Sequence, residues 1–146
     1  MPPKGKAGKA GKKGKTAKRP AGLPEGYDSV AVYLKKEVKQ KLEQACAANQ
    51  TTPPVAFMKM VDACMAEEKM IDSIIVSERE ISGPVVRSLV QVFAQWPVLK
   101  SFCAWRTTCG DEGATVVAEL LKQNPNVRGV ELLDCGIGLR GCRAIG

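Results

Sequence analysis

Residues 99–125 read LKSFCAWRTTCGDEGATVVAELLKQNP, and residues 127–146 read VRGVELLDCGIGLRGCRAIG. Set beneath residues 71–98, these stretches fall into columns spaced 28 residues apart, with no insertion or deletion. Ile71, Leu99 and Val127 lead the three units, followed by Ile74, Phe102 and Val130, then by Val76, Ala104 and Leu132. Further on, Ile81, Cys109 and Ile137 align, as do Leu89, Val117 and Ile145. Pro97 and Pro125 close successive units, and Gly110 and Gly138 open the second half of two of them. A fixed period of roughly 20–50 residues is the mark of a solenoid, whose units bury their apolar faces against one another.

Each unit divides into a period-2 half and a helical half. Val130-Glu131-Leu132 alternates apolar and polar, as a short strand with one buried face does. Asp111 to Asn124 reads as a helix, with Ala114, Val117, Ala118 and Leu121 on one inward stripe. Asp111 and Glu112 in its first turn and Lys122 in its last suit the helix dipole, and Asn124-Pro125 stops it.

The residues Leu99, Phe102, Ala104, Thr107 and Cys109 with Gly110-Asp111-Glu112-Gly113, continued by Val127, Val130, Leu132, Cys135, Ile137 and Gly138-Leu139-Arg140-Gly141, form a pattern. It resembles the ribonuclease-inhibitor type of leucine-rich repeat and covers about half of the chain. The first unit departs from it: Arg79 stands where that family places Asn or Cys, and Ser82-Gly83-Pro84 replaces the glycine pair. That unit reads as the atypical end repeat of a stack. The expected fold class is therefore α/β, a leucine-rich-repeat solenoid of 28-residue strand–helix units with an N-terminal helical-hairpin cap and a disordered basic tail. The expected boundaries are 1–26 for the tail, 27–70 for the cap and 71–146 for the repeats, divided as 71–98, 99–126 and an incomplete 127–146.

In the cap, Asp28 or Ser29 can start a helix running to about Asn49, with Val30, Leu34, Val38, Leu42 and Ala45 along one side. Thr52-Pro53 opens a second helix, with Pro53 near its first position, and Val55, Phe57, Met58, Val61, Cys64 and Met65 make it largely apolar. This helix–Pro–helix lead-in is similar to the N-terminal caps of ribonuclease-inhibitor-type proteins of cilia and flagella. At its other end the pattern stops at Gly146, half-way through a unit, so the chain is expected to continue or to have that end covered by a partner.

The net charge of +7 is unevenly placed. Lys4, Lys6, Lys9, Lys12, Lys13, Lys15, Lys18 and Arg19 precede the first acid, and the rest of the chain holds 14 basic against 15 acidic residues. A Lys/Gly/Ala/Pro segment without periodic apolar residues is expected to be disordered, and its charge to seek a polyanion. It contains no aromatic residue, which removes base stacking. Duplex phosphate contact needs only charge, so nucleic acid stays open as a tail partner, beside an acidic protein surface such as a microtubule. Six cysteines without a secretory leader read as reduced thiols. With no histidine and no Cys-x-x-Cys pair, no metal site is expected. No apolar run approaches the roughly 18 residues of a membrane span.

Two nucleotide-like motifs fail on context. Gly14-Lys15-Thr16 has Lys9 where a phosphate-binding loop needs its first glycine. Gly136-Ile137-Gly138-Leu139-Arg140-Gly141 matches the dinucleotide pattern, yet Gly138 and Gly141 repeat Gly110 and Gly113 one period earlier. No cofactor and no small-molecule substrate are expected.

Strand alternation sends the columns between the buried ones to an open face. They include Ile75, Ser77 and Glu78, then Cys103, Trp105 and Arg106, then Glu131, Leu133 and Asp134, and an exposed Trp beside an Arg is the composition of an interface anchor. Cys103 lacks a histidine to activate it, so the chain is expected not to be an enzyme. The resemblance implies a protein–protein interaction scaffold, a structural component of the cilium or flagellum axoneme located in the cytoskeleton, whose basic tail contacts microtubules. The alternatives are a regulatory binding module of the GTPase-activating or inhibitor type, and a protein held on nucleic acid by its tail.

Overall fold

A computed structural model describes residues 22–145. The tail residues Lys4, Lys6, Lys9, Lys12, Lys13, Lys15, Lys18 and Arg19, and with them the expectation of a disordered segment, lie outside the described residues.

The N-terminal half begins as Ser29 predicts. Its hydroxyl accepts from the Val32 amide and opens α1 (Val30–Leu34), which runs without a break through a π-helical stretch (Lys35–Gln40) into α2 (Lys41–Ala48). The wider turn was not expected, and the burial pattern explains it. Val30, Leu34, Val38, Leu42 and Cys46 are all buried, and they recur at every fourth residue. In an α-helix each such step rotates the side chain by about 40° beyond a full turn, so the stripe would drift off the core. The π stretch absorbs that drift.

The chain then turns through Gln50 (φ 60°), where the Gln50 amide bonds the Ala47 carbonyl and the Thr51 amide the Cys46 carbonyl. Pro54 takes the cap position of α3 (Val55–Ala66), so Pro53 lies outside the helix it was expected to open. The end of α3 repeats the same left-handed closure at Glu68 (φ 53°). That closure returns the Glu68 carboxylate to the start of α1, where it accepts from the Ser29 hydroxyl and the Val30 and Ala31 amides, each at 3.0 Å.

Three parallel strands follow, β1 (Ser73–Ser77), β2 (Ser101–Trp105) and β3 (Gly129–Leu133), in the spatial order β1-β2-β3. Ser73 pairs with Ser101 and Ser101 with Gly129, so the sheet register carries the 28-residue spacing of the sequence. Ile74, Val76, Phe102 and Ala104 are buried under α4 (Gly83–Phe93) and α5 (Gly110–Gln123), while Val130 and Leu132 of β3 are half-buried. Helix α5 packs between α4 and α6 (Leu139–Ile145). It therefore buries Val116 and Leu120 in addition to Ala114, Val117 and Ala118, a wider apolar face than one stripe.

These elements correct the expected leucine-rich-repeat solenoid. The described residues form a small α/β fold with one open three-stranded parallel sheet, not an evident repeat solenoid. A solenoid stacks equivalent units in one direction. Here the two crossover helices are unequal, at 11 and 14 residues, and α4 packs against α2 of the helical half as well as against α5. The first unit reaches its helix through Ser82 and Pro84 in place of a glycine pair, and among the described residues β1 and β3 are the edge strands of the sheet.

An aromatic chain ties the helical half to the sheet half. Tyr27 meets Tyr33 at 4.8 Å, Tyr33 stacks on Trp96 at 5.1 Å, and Trp96 meets Phe93 edge-on at 5.1 Å. Phe57 of α3 closes the cluster against Phe93 at 6.0 Å. The indole of Trp96, only 4 % exposed, donates to the Ile71 carbonyl at 2.8 Å, which satisfies its polar edge in the core. Asn124 does the same for the turn that follows α5: its amide donates to the Trp96 carbonyl at 2.9 Å, and its side-chain oxygen accepts from the Asn126 amide.

Candidate functional site

The strand face turned away from α4 and α5 collects the residues expected to bind a partner. Register sets Ile75, Cys103 and Glu131 in one row across the sheet and Ser77, Trp105 and Leu133 in the next. Neighbouring strands lie about 4.8 Å apart, so each row is a band of touching side chains. Ile75 and Leu133 are 53 % and 57 % exposed; Leu133 stands beside the half-buried Trp105 in its row, and Ile75 lies in the row before it. The Trp105 indole reaches diagonally to β3 and donates to Glu131 Oε1 at 3.1 Å. That bond fixes the ring on the face.

A third row stands at the ends of the strands. Glu78, Arg106 and Asp134 all have positive φ, at 108°, 55° and 54°. Such a backbone costs a non-glycine residue about 1–2 kcal/mol. Two of the three extend the ladder as they leave it: the Glu78 amide bonds the Trp105 carbonyl and the Arg106 amide the Leu133 carbonyl. Arg79 then bridges from the end of β1 to that of β3, with its guanidinium 3.2 Å from Asp134. The sequence pattern gave Arg79 no role beyond a departure from the family. Its partner only becomes visible once β1 and β3 share a sheet. Glu80 is a second addition, beside Ile75 and Ser77 on the wall of a small cavity under the α3 N-terminus.

All nine residues expected on this face, Ile75, Ser77, Glu78, Cys103, Trp105, Arg106, Glu131, Leu133 and Asp134, are brought together by the three strands and the turns after them. The eight basic tail residues lie outside the described residues.

Cys103 is half-buried here. Desolvation raises its thiol pKa and the Glu131 carboxylate raises it further, against one backbone hydrogen bond that lowers it. A thiol pushed in that direction is a weak nucleophile at neutral pH. Burial likewise raises Cys109, which lies beside Cys135, and Cys46. Among the described residues no group of three His, Cys, Asp or Glu side chains is placed to hold a metal ion. No helix among them is long and apolar enough to cross a membrane.

The glycine-rich turn before α6 already has its anion. Asp111 Oδ1 accepts from the Gly138 amide at 2.6 Å and from the Gly141 amide at 3.0 Å. The backbone donors that a dinucleotide phosphate would need are held by a carboxylate of α5. A Cβ at position 141 would fall within 3 Å of Ile137, Asp111 and Ala114, so Gly141 serves close packing.

Comparison with protein-family models finds no match for this chain, and comparison with curated proteins finds none either.

Proposed function

We infer that this chain is a non-catalytic protein–protein interaction scaffold that docks through the strand face centred on Trp105. The observation that carries the reading is the make-up of that face: the exposed aliphatic side chains of Ile75 and Leu133 share it with an indole oriented by Glu131. Aromatic and aliphatic groups ringed by charge are the make-up of an interface core with a polar rim. The raised thiol of Cys103 supports a binding role over a nucleophilic one.

The partner in this reading is axonemal, and the protein is a structural component of the cilium or flagellum. That placement comes from the likeness of the helical lead-in and lysine-rich tail to ciliary proteins, and an acidic microtubule lattice suits the tail's charge.

The test follows the tagged full-length chain in a ciliated cell after detergent extraction. Retention on the extracted axoneme, reduced several-fold by Trp105→Ala at unchanged expression, is the expected result. A protein that washes out, or that accumulates in the nucleus, sinks the axonemal reading. Nuclear retention would bring the nucleic-acid alternative forward, because the tail's phosphate contacts would then dominate.

A further inference from the structure

The face around Trp105 carries more negative than positive charge. Glu78, Glu80, Glu131 and Asp134 stand against Arg79 and Arg106, and Arg79 is already paired with Asp134. Among the described residues neither Glu78 nor Glu80 has an ion pair. Glu131 spends one oxygen on the Trp105 indole and keeps acceptor capacity on the other. The same chain carries, between Lys4 and Arg19, eight cations and no anion.

The two ends can meet. Gly22 lies against Val98, in the turn just before β2. From there to Trp105 is one strand length, about 20 Å at roughly 3.3 Å per residue. A segment as long as Lys4–Arg19 can span up to about 50 Å when extended, more than the distance from that anchorage to Trp105. Tethering gives it an effective concentration on the order of millimolar, enough for several weak lysine–carboxylate contacts and a cation–π contact with Trp105 to hold it.

We propose that the lysine-rich segment Lys4–Arg19 docks on the strand face of its own chain and shields Trp105 until an acidic partner surface draws it away. The inference rests on the reading of that face as a docking surface. It adds regulation: an acidic lattice removes the cover from the site that then binds, so tail and face act in sequence.

The test uses the purified full-length chain and the indole N–H resonances of its two tryptophans, assigned with Trp105→Phe. Buried Trp96 is the internal reference. At low salt the Trp105 signal is expected at a shielded position, with low acrylamide quenching. It should move to a second position as salt rises and the Debye length falls from about 10 Å to about 3 Å. With the seven tail lysines changed to Gln, the signal should sit at the second position at every salt concentration. The exposed pair Glu78→Gln and Glu80→Gln should weaken the low-salt shift, and a polyglutamate peptide should abolish it in the parent chain.

Identical Trp105 shifts and quenching in the parent and the Gln-tail chain at low salt would overturn the proposal. So would a low-salt shift that vanishes on dilution, since the occupant would then be the tail of a second copy. Neither result bears on axonemal retention, which is read in cells, so loss of the scaffold reading and loss of the tail contact are separately visible.

Discussion

Glu68 joins two helices through one side chain: its backbone closes α3 in a left-handed turn while its carboxylate holds three donors at the start of α1. Desolvation pushes its pKa up, but the hydrogen bonds from Ala31, Ser29 and Val30 outweigh that, and the carboxyl is held below its ordinary value. A lowered folded-state pKa contributes stability that is present above the unfolded value, about 4.3 for Glu, and is lost as pH falls through the folded one. Glu68→Gln should therefore destabilise the protein at pH 6–7, and the gap from the parent should close as pH drops below about 4. Urea midpoints at both pH values check this. A gap that does not change with pH would mean that the cap works by shape and not by charge. The sequence offered Asp28 or Ser29 as the cap, and Ser29 is the one that takes it. It offered nothing to pair Glu68 with α1, because that contact spans 38 positions along the chain and exists only when the hairpin closes.

At the scale of elements, α6 is held by its neighbour. The amides of Gly138 and Gly141 at its start are satisfied by Asp111 from α5. Asp111→Ala should cost about 1 kcal/mol, the usual worth of a capping side chain. The loss should be local: hydrogen exchange should speed up at Gly138 and Gly141 while the β1 and β2 amides stay protected. Uniform acceleration across the sheet would instead place Asp111 in the global core. The π stretch of the first helix is the other element decided by context. The sequence displays Val30, Leu34, Val38 and Leu42 plainly as a stripe, and an ordinary helix serves a stripe of that length almost as well. The buried stripe ends on Cys46 where the sequence pattern placed Ala45, and the wider turn keeps that position in line with the others.

For the whole molecule, the organising fact is that one sheet face is covered by α4 and α5 while the other carries Ile75, Trp105 and Leu133 in two adjacent rows. Ile75→Ser with Leu133→Ser removes exposed apolar surface without touching the core, so stability should change by less than about 0.5 kcal/mol per site. Retention on extracted axonemes should nevertheless fall several-fold, as it should for Trp105→Ala. If retention stays at the parent level in a folded double variant, the docking surface lies elsewhere.

Local chemistry in the chain was enough to set the strand positions, their register, the covered and open faces and the course of α5. Alternation and the 28-residue spacing are properties of neighbouring residues, and a parallel sheet reads them out directly. Whether those units make a solenoid was a matter for the tertiary structure, because it depends on what covers each unit. Crossover helices of 11 and 14 residues on one face of three parallel strands give an open three-stranded α/β sheet. The Arg79–Asp134 bridge, the Asp111 cap and the Glu68 clasp belong to the same class. Each joins residues whose local patterns are independent, so each was settled only by the packing that brought them within hydrogen-bonding distance.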